Sequence, residues 1–478
     1  MKDLDSAGQW WLPRAPEEVV VGLLKYSDAE GFRLSIPFGH LGGMGEMARR
    51  LKELRPIPLV HGLLRDGRYV TLTDVIMTGM IMNMPGAASE VYYSSLGFIG
   101  DSVLEELPLV DRASVTYSHL RDWVVDHPIQ SRHQLGGSAR GRSADYHYEN
   151  PEPVRIAGGG AWQLSLAHTA SVPFPSVSGL ILTHDCHLGL VLSQPLTYDA
   201  LAILYLVPLW QFLSFCFDRN IGAASLDVGP VGDQARRFDV GVHQTVDKEH
   251  SEAVRPPFML LDRPQLGERL NCALDTWLRF EGDERRATSI LVSLSGRQSL
   301  PLDLKFLAAA QALEALTRVG ARECELDDDE FNRRCRIVRE SIADAKVRKW
   351  ADRKLEHSNT RAASELLCDL LTYIGGYADC LAKDQSRFVD DIRDNRNFYT
   401  HRDDRRADRV LEGEELYNLT EGILLLLKAT VLRRLGFSPE ETAATMNACQ
   451  GTLQARGRVA EQYDTAGKTT PRHSGGVA

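Results

Sequence analysis

The run Arg396-Asn397-Phe398-Tyr399-Thr400-His401 places a permanent cation five residues before an imidazole that exchanges a proton near neutral pH. Side chains of these types can hold a negative charge and move a proton. An Arg and a His at this spacing recur by chance in many proteins, so the surrounding elements decide what the pair means. Five positions turn through about 500° of an ideal helix, so the two cannot share one face of a continuous helix. Either the helix ends between them and His401 folds back, or the site is completed across a dimer.

The elements that must position the pair are helical. The hexapeptide closes a segment starting at Gln385, within a C-terminal third that reads as helix after helix. Leu304, Phe306, Leu307, Ala310, Leu313 and Leu316 fall mostly on one helical face, and Gly320 ends that helix as a left-handed cap. An acidic loop over 323–330 precedes a helix near 331–345, with further helices expected over 347–356, 362–373, 377–399 and 414–435. In Ser438-Pro439-Glu440-Glu441, Ser caps a last helix, Pro suits its first turn and Glu441 completes a capping box. Residues 464–478 are small and polar and read as a disordered tail.

The opening helix with Gln311-Ala312-Leu313-Glu314-Ala315-Leu316 and the later Arg-Asn-x-x-x-His motif resemble the HEPN domain of the ApeA family of bacterial phage-defence proteins. The resemblance covers about residues 300–460. Trp10-Trp11-Leu12-Pro13 and Gly22-Leu23-Leu24-Lys25-Tyr26 look like the N-terminal domain paired with this HEPN type. The resemblance implies that two HEPN domains pair so that both motifs line one cleft. It also implies metal-independent RNA cleavage, in which the ribose 2′-hydroxyl attacks the adjacent phosphate and leaves a cyclic phosphate end. In that chemistry His401 is the acid or base, Arg396 holds the phosphate and the growing negative charge, and Asn397 orients the loop or donates to a phosphate oxygen. Glu314 is a supporting candidate that bonds the motif Arg. Arg402, Lys349 and Arg353 are candidates for guiding RNA, although neighbouring aspartates would equally make these segments a salt-bridged surface.

At 478 residues the chain exceeds one core, and about 150 residues per domain suggests two or three. A net charge of −10 excludes a protein that coats nucleic acid by bulk attraction, so RNA contact requires a local basic patch. Eight widely spaced cysteines without a Cys-x-x-Cys pair, and no basic-apolar signal sequence, suit a reducing cytoplasm. Leu201 to Phe217 approaches the length of a membrane span. It holds Pro208, Gln211 and Ser214 between Asp199 and Asp218, so it reads as a buried helix.

Upstream, short apolar runs broken by turn residues predict a β-rich domain. Strands are expected over 19–24, 32–36, 59–64, 69–72, 75–82, 91–99, 162–168, 180–183 and 188–192, with Asp66-Gly67 turning a two-residue hairpin. Residues 131–160, poor in apolar side chains and rich in glycine, read as a long surface loop in which Arg132, Arg140 and Arg142 could touch phosphate. His184-Asp185-Cys186-His187 is the other dense group of ligand types. On a strand His184 and His187 point to opposite faces, with no second ligand pair nearby in sequence, so no metal site is expected. Trp10, Trp11 and Trp162, if exposed, would instead mark a surface for carbohydrate or a phage structural protein.

The expected architecture is α+β: a β-rich region over 1–282, an all-α HEPN bundle over 283–463, and the tail. The expected function is an anti-phage, abortive-infection endoribonuclease acting on RNA, tRNA among the candidates. It would be a cytoplasmic homodimer or larger homo-oligomer with no cofactor and no membrane partner, released by a phage-derived trigger that the β-rich region senses. The alternative is a HEPN domain that only dimerises or binds, joined to a ligand-recognising β-rich domain.

Overall fold

The computed structural model describes residues 3–464 apart from 44, 47–54, 82–87, 126–127, 136–141, 172–182, 234, 245–252, 296–299, 321–323, 356–357 and 402–408. Two compact units emerge: Met1–Arg255 with Asp262–Leu278, and Pro256–Leu261 with the chain from Arg279 onward.

Among its described residues the first unit has fifteen strands: β1 Leu4–Leu12, β2 Ala15–Ser27, β3 Gly31–Ile36, β4 Ile57–Leu64, β5 Tyr69–Ile81, β6 Ser89–Ser94, β7 Leu96–Gly100, β8 Val110–Tyr117, β9 Ile129–Leu135, β10 Arg142–Tyr148, β11 Val154–Gly158, β12 Trp162–Ser171, β13 Thr183–Leu196, β14 Ala223–Pro230 and β15 Phe238–Val242. β5, β4, β1, β2, β3 and β6 close into a barrel because β5 pairs with both β4 and β6. Period-two alternation sends Leu24, Tyr26, Phe32, Leu34 and Ile36 into its core beside Trp10. A Cβ on Gly62 would meet the Trp10 ring, so glycine is what lets that indole lie against β4.

β5 also pairs with β7 through Tyr69–Thr73, before its later residues from Ile76 turn to β6. Asp74, left-handed at φ 46°, lies at that change of partner. From β7 the sheet continues as β15, β14, β8, β13, β12 and β11. The helical run Tyr198–Phe217 is long and apolar enough to cross a membrane by length and composition. Most of its last part, α1 (Val207–Phe217), is buried, with Phe212 and Phe215 against Trp277 of α2 (Leu270–Leu278). That is the packing of a core helix.

Several expectations are corrected here. The expected surface loop over 131–160 contains strands β9 to β11, and β9 and β10 form a separate two-stranded ribbon. Its apolar pattern is weak in sequence because, among the described residues, the ribbon pairs with no other strand. Arg132 is exposed on β9, while Arg140 and the glycines 136, 137 and 141 lie outside the described residues. Val91–Ile99 splits at Ser95 into two strands, β6 and β7. The hairpin at Asp66-Gly67 forms, but through a three-residue loop in which Gly67 alone is left-handed, at φ 89°. Trp10 and Trp162 are buried and Trp11 packs edge-on against His61, which removes the support for a tryptophan-lined binding surface. Of the expected strand 180–183, only Thr183 is among the described residues.

The second unit is helical: α3 Gly282–Leu294, α4 Leu302–Arg318, α5 Asp328–Ser341, α6 Ala345–Leu355, α7 Ala363–Ile374, α8 Gly376–Leu381, α9 Gln385–His401, α10 Gly413–Arg434, α11 Pro439–Ala448 and α12 Gln450–Tyr463. α10 is apolar around most of its circumference and is buried accordingly, with Leu419, Ile423, Leu426 and Leu432 fully enclosed. α4 and α12 pack along it, and α7 and α9 pack against α4. The expected capping box forms at Ser438 and Glu441, and Gly320 takes a left-handed φ of 71° just after α4. The expected helix 377–399 is two helices, because the Asp384 carboxylate accepts from the Arg387 N–H and starts α9 anew. The expected join at 282/283 falls at the start of α3, and after α2 the compact units divide at Leu278/Arg279. The expected disordered tail, 464–478, lies outside the described residues except for Asp464.

Candidate functional site

α9 is anchored by its buried polar side chains. Asn395 is fully buried; its amide donates to the Asp391 carbonyl at 2.8 Å and its side-chain oxygen accepts from the Leu411 N–H at 2.7 Å. Tyr399 donates to the Leu411 carbonyl at 3.1 Å, so both backbone groups of Leu411 are held by α9. Asp394, also buried, accepts from Arg393 at 2.9 Å, and that hydrogen bond raises the Arg393 guanidinium above its ordinary range. Tyr463 donates to Asp391 at 3.2 Å, and burial keeps its hydroxyl protonated well above the usual phenol range.

On this rigid helix Arg396 reaches α4. Its Nη2 donates to Glu314 Oε2 at 2.9 Å and its Nη1 to Asn397 Oδ1 at 3.3 Å. The other Glu314 oxygen accepts from Arg318 at 2.9 Å, one turn along α4. Glu314 therefore bridges two guanidiniums. The contact of Glu314 with the motif Arg, expected from sequence, is present. Asp394, two residues before Arg396, pairs instead with Arg393 and Arg409.

Two hollows share this bridge as a wall. One, about 90 Å³, lies among α4, α7 and α9 and is lined by Leu313, Leu367, Ile392, Arg393, Arg396 and Asn397 among others. The other is open, about 680 Å³, and brings Arg286 of α3, Arg318 of α4 and Arg396, Tyr399 and Thr400 of α9 around Glu314 and Asp283. Arg286 and Arg318 escaped the sequence reading; the Glu314-x-x-x-Arg318 spacing, one turn of helix, was the available signal.

His401 does not join them. α9 runs unbroken through His401, so the expected fold-back between Arg396 and His401 is absent. The two lie about 140° apart around one helix and about 7.5 Å along it. His401 is exposed and lines neither hollow. Lys349 and Arg353 are exposed on α6 and likewise line neither hollow, while the neighbouring Asp352 pairs with Arg339 at 2.9 Å. Arg402 lies outside the described residues. α5 and α6 pack on each other and leave Ile337, Val347 and Trp350 exposed.

In the β unit, His184 is buried and His187 half-exposed on the opposite face, as strand alternation requires. The second ligand source that sequence spacing lacked comes from the neighbouring strand: His168 on β12 stands opposite Cys186.

The comparisons with known proteins agree with this division. The family model for ApeA N-terminal domain 1 matches residues 5–277, and that for the ApeA-like HEPN domain matches residues 307–441. No curated protein and no solved structure matches the chain. A HEPN domain of this kind suggests a nuclease-type function in phage defence, and HEPN domains commonly bind RNA and dimerise. With a matching N-terminal domain over more than half its length and a matching helical domain after it, the chain belongs to the ApeA family.

Proposed function

We propose that the helical unit is an endoribonuclease that cuts RNA, tRNA among its substrates, without a catalytic metal ion and as a homodimer or larger homo-oligomer. The observation that carries this reading is the Arg396–Glu314–Arg318 bridge on the wall of an open hollow that also holds Arg286. An RNA phosphate entering there meets three guanidiniums set around two carboxylates, Glu314 and Asp283, and a bidentate guanidinium stabilises the charge that builds on the phosphoryl oxygens during attack. The ribose 2′-oxygen attacks the adjacent phosphorus, giving its proton to a base, while the bond to the 5′-oxygen breaks and that oxygen takes a proton from an acid. His401 exchanges those protons, typically worth about 10²–10⁴-fold in rate. Since Arg396 and His401 face different ways on one helix, a second copy completes the site, its His401 meeting the first copy's Arg396.

Cleavage of host RNA would stop the infected cell's own growth, so activity is held low until the β-rich unit meets a phage-derived trigger. The non-catalytic reading is favoured by one observation, that Glu314 already neutralises Arg396. Purified wild type, His401→Ala and Arg396→Ala, given tRNA and messenger RNA with a chelator added at the start, separate the two. Cleavage by wild type alone, with or without phage lysate, supports the nuclease. Phage protection that survives His401→Ala overturns it.

A further inference from the structure

One buried cluster of ligand-type side chains lies in the β unit, independent of the nuclease reading. His168 on β12 is paired in register with Cys186 on β13, and His184 precedes Cys186 by two residues on the same inward face. All three are buried, with Cys186 only 1% exposed. Their ligand atoms form a triangle: His168 Nδ1 to His184 Nε2 is 2.9 Å, Cys186 Sγ to His168 Nδ1 3.5 Å, and Cys186 Sγ to His184 Nε2 3.9 Å. A tetrahedral zinc ion with ordinary bond lengths asks for about 3.3 Å between two nitrogens and about 3.6 Å between nitrogen and sulfur. The triangle departs from those edges by less than about half an ångström.

We propose that His168, His184 and Cys186 bind a zinc ion whose fourth position is left to water or a small anion. Two imidazoles and a thiolate are borderline-to-soft donors, which select zinc over magnesium or calcium. An ion at the centre of the triangle would bond all three buried groups at once and release the thiol's proton to solvent. Strand geometry already supplies the aim: cross-strand partners and next-but-one residues on a pleated strand project from the same face. Arg121 donates to the His184 carbonyl at 3.2 Å and fixes the backbone at that ligand. Among the described residues three protein ligands converge rather than four, the pattern of an exchangeable site and not of a closed structural one.

The test loads the purified full chain, stripped of metal, with zinc or cobalt. The expected result is one zinc per chain by elemental analysis. The cobalt form should show a sulfur-to-cobalt charge-transfer band in the near ultraviolet, and visible bands that shift on adding azide. Cys186→Ser and His184→Gln should each bind zinc at least tenfold more weakly, while His187→Gln on the other face keeps full occupancy. Wild type that takes up no zinc, or a Cys186→Ser variant with undiminished affinity, overturns the site; visible bands indifferent to azide overturn its open position. Should the variants fail to fold, zinc-edge X-ray absorption of the wild type decides. Two nitrogens and one sulfur uphold the proposal, and a shell without sulfur refutes it.

Discussion

Arg396 and Glu314 stand 2.9 Å apart across two helices although 82 residues separate them in the chain. Glu314→Gln keeps the shape of this contact and removes its charge. Because the pair is partly exposed, folding should change by less than about 1 kcal/mol. RNA cleavage should nevertheless fall on the order of tenfold or more if Glu314 holds the guanidinium in place for phosphate. Denaturant unfolding and cleavage rates measured on one preparation test both halves, and full activity would show that Arg396 needs no such support.

A site shared between two copies makes a sharper prediction. Arg396→Ala and His401→Ala are each inactive alone, yet a mixed dimer regains one intact cleft. Random mixing should restore about a quarter of wild-type cleavage, since half the dimers are mixed and each carries one of two sites. No recovery after subunit exchange would place both residues of each working site in one chain.

Asn395 should be the most costly polar residue of α9 to remove. Asn395→Ala deletes two hydrogen bonds and leaves the buried Leu411 N–H without its acceptor. The expected loss is about 2–3 kcal/mol, read as a lower urea midpoint with unchanged slope. Gly62→Ala tests the barrel in the same way: the added methyl enters the space of the Trp10 ring, for an expected loss of about 1–3 kcal/mol.

Asp227 and Asp239 face each other across β14 and β15. Burial first, then the hydrogen bond and charge of Asp239, push the Asp227 carboxyl up to about 7, with Arg237 opposing. An unfolded carboxyl titrates near about 4, so between these values the folded chain binds the extra proton. Its contribution is complete below about pH 4 and is lost as pH rises towards about 7. Asp227→Asn should therefore gain about 1 kcal/mol over wild type near pH 8, after discounting for partial exposure, and almost nothing near pH 4.5. Thermal melts at the two pH values decide it.

Much of the helical unit was legible in sequence because its determinants are local. The apolar face of α4 and the Ser438–Glu441 box are each written within one element. The β unit was legible where one face is buried, as in β2 and β3, and illegible in the ribbon of β9 and β10. Glu314 was legible as a candidate partner of Arg396 from its place in the first long helix, where a plain surface carboxylate was the equal alternative. The convergence of Arg286 and Arg318, and of His168 with Cys186, depends on tertiary packing and strand register, which residue spacing does not encode.

The left-handed Asp74 at the change of partner in β5 has a consequence for how the first unit comes apart. The barrel and the open sheet own no separate boundary strand: β4 of the barrel and β7 of the sheet both pair with Tyr69–Thr73 of the thirteen-residue β5, and β6 of the barrel pairs with its later stretch from Ile76. Neither can open while the other holds β5 in place, so the two behave as a single cooperative foldon. Native-state amide exchange should then give β4, β6 and β7 one common opening free energy. A cut placed between barrel and sheet would yield no fragment able to stand alone.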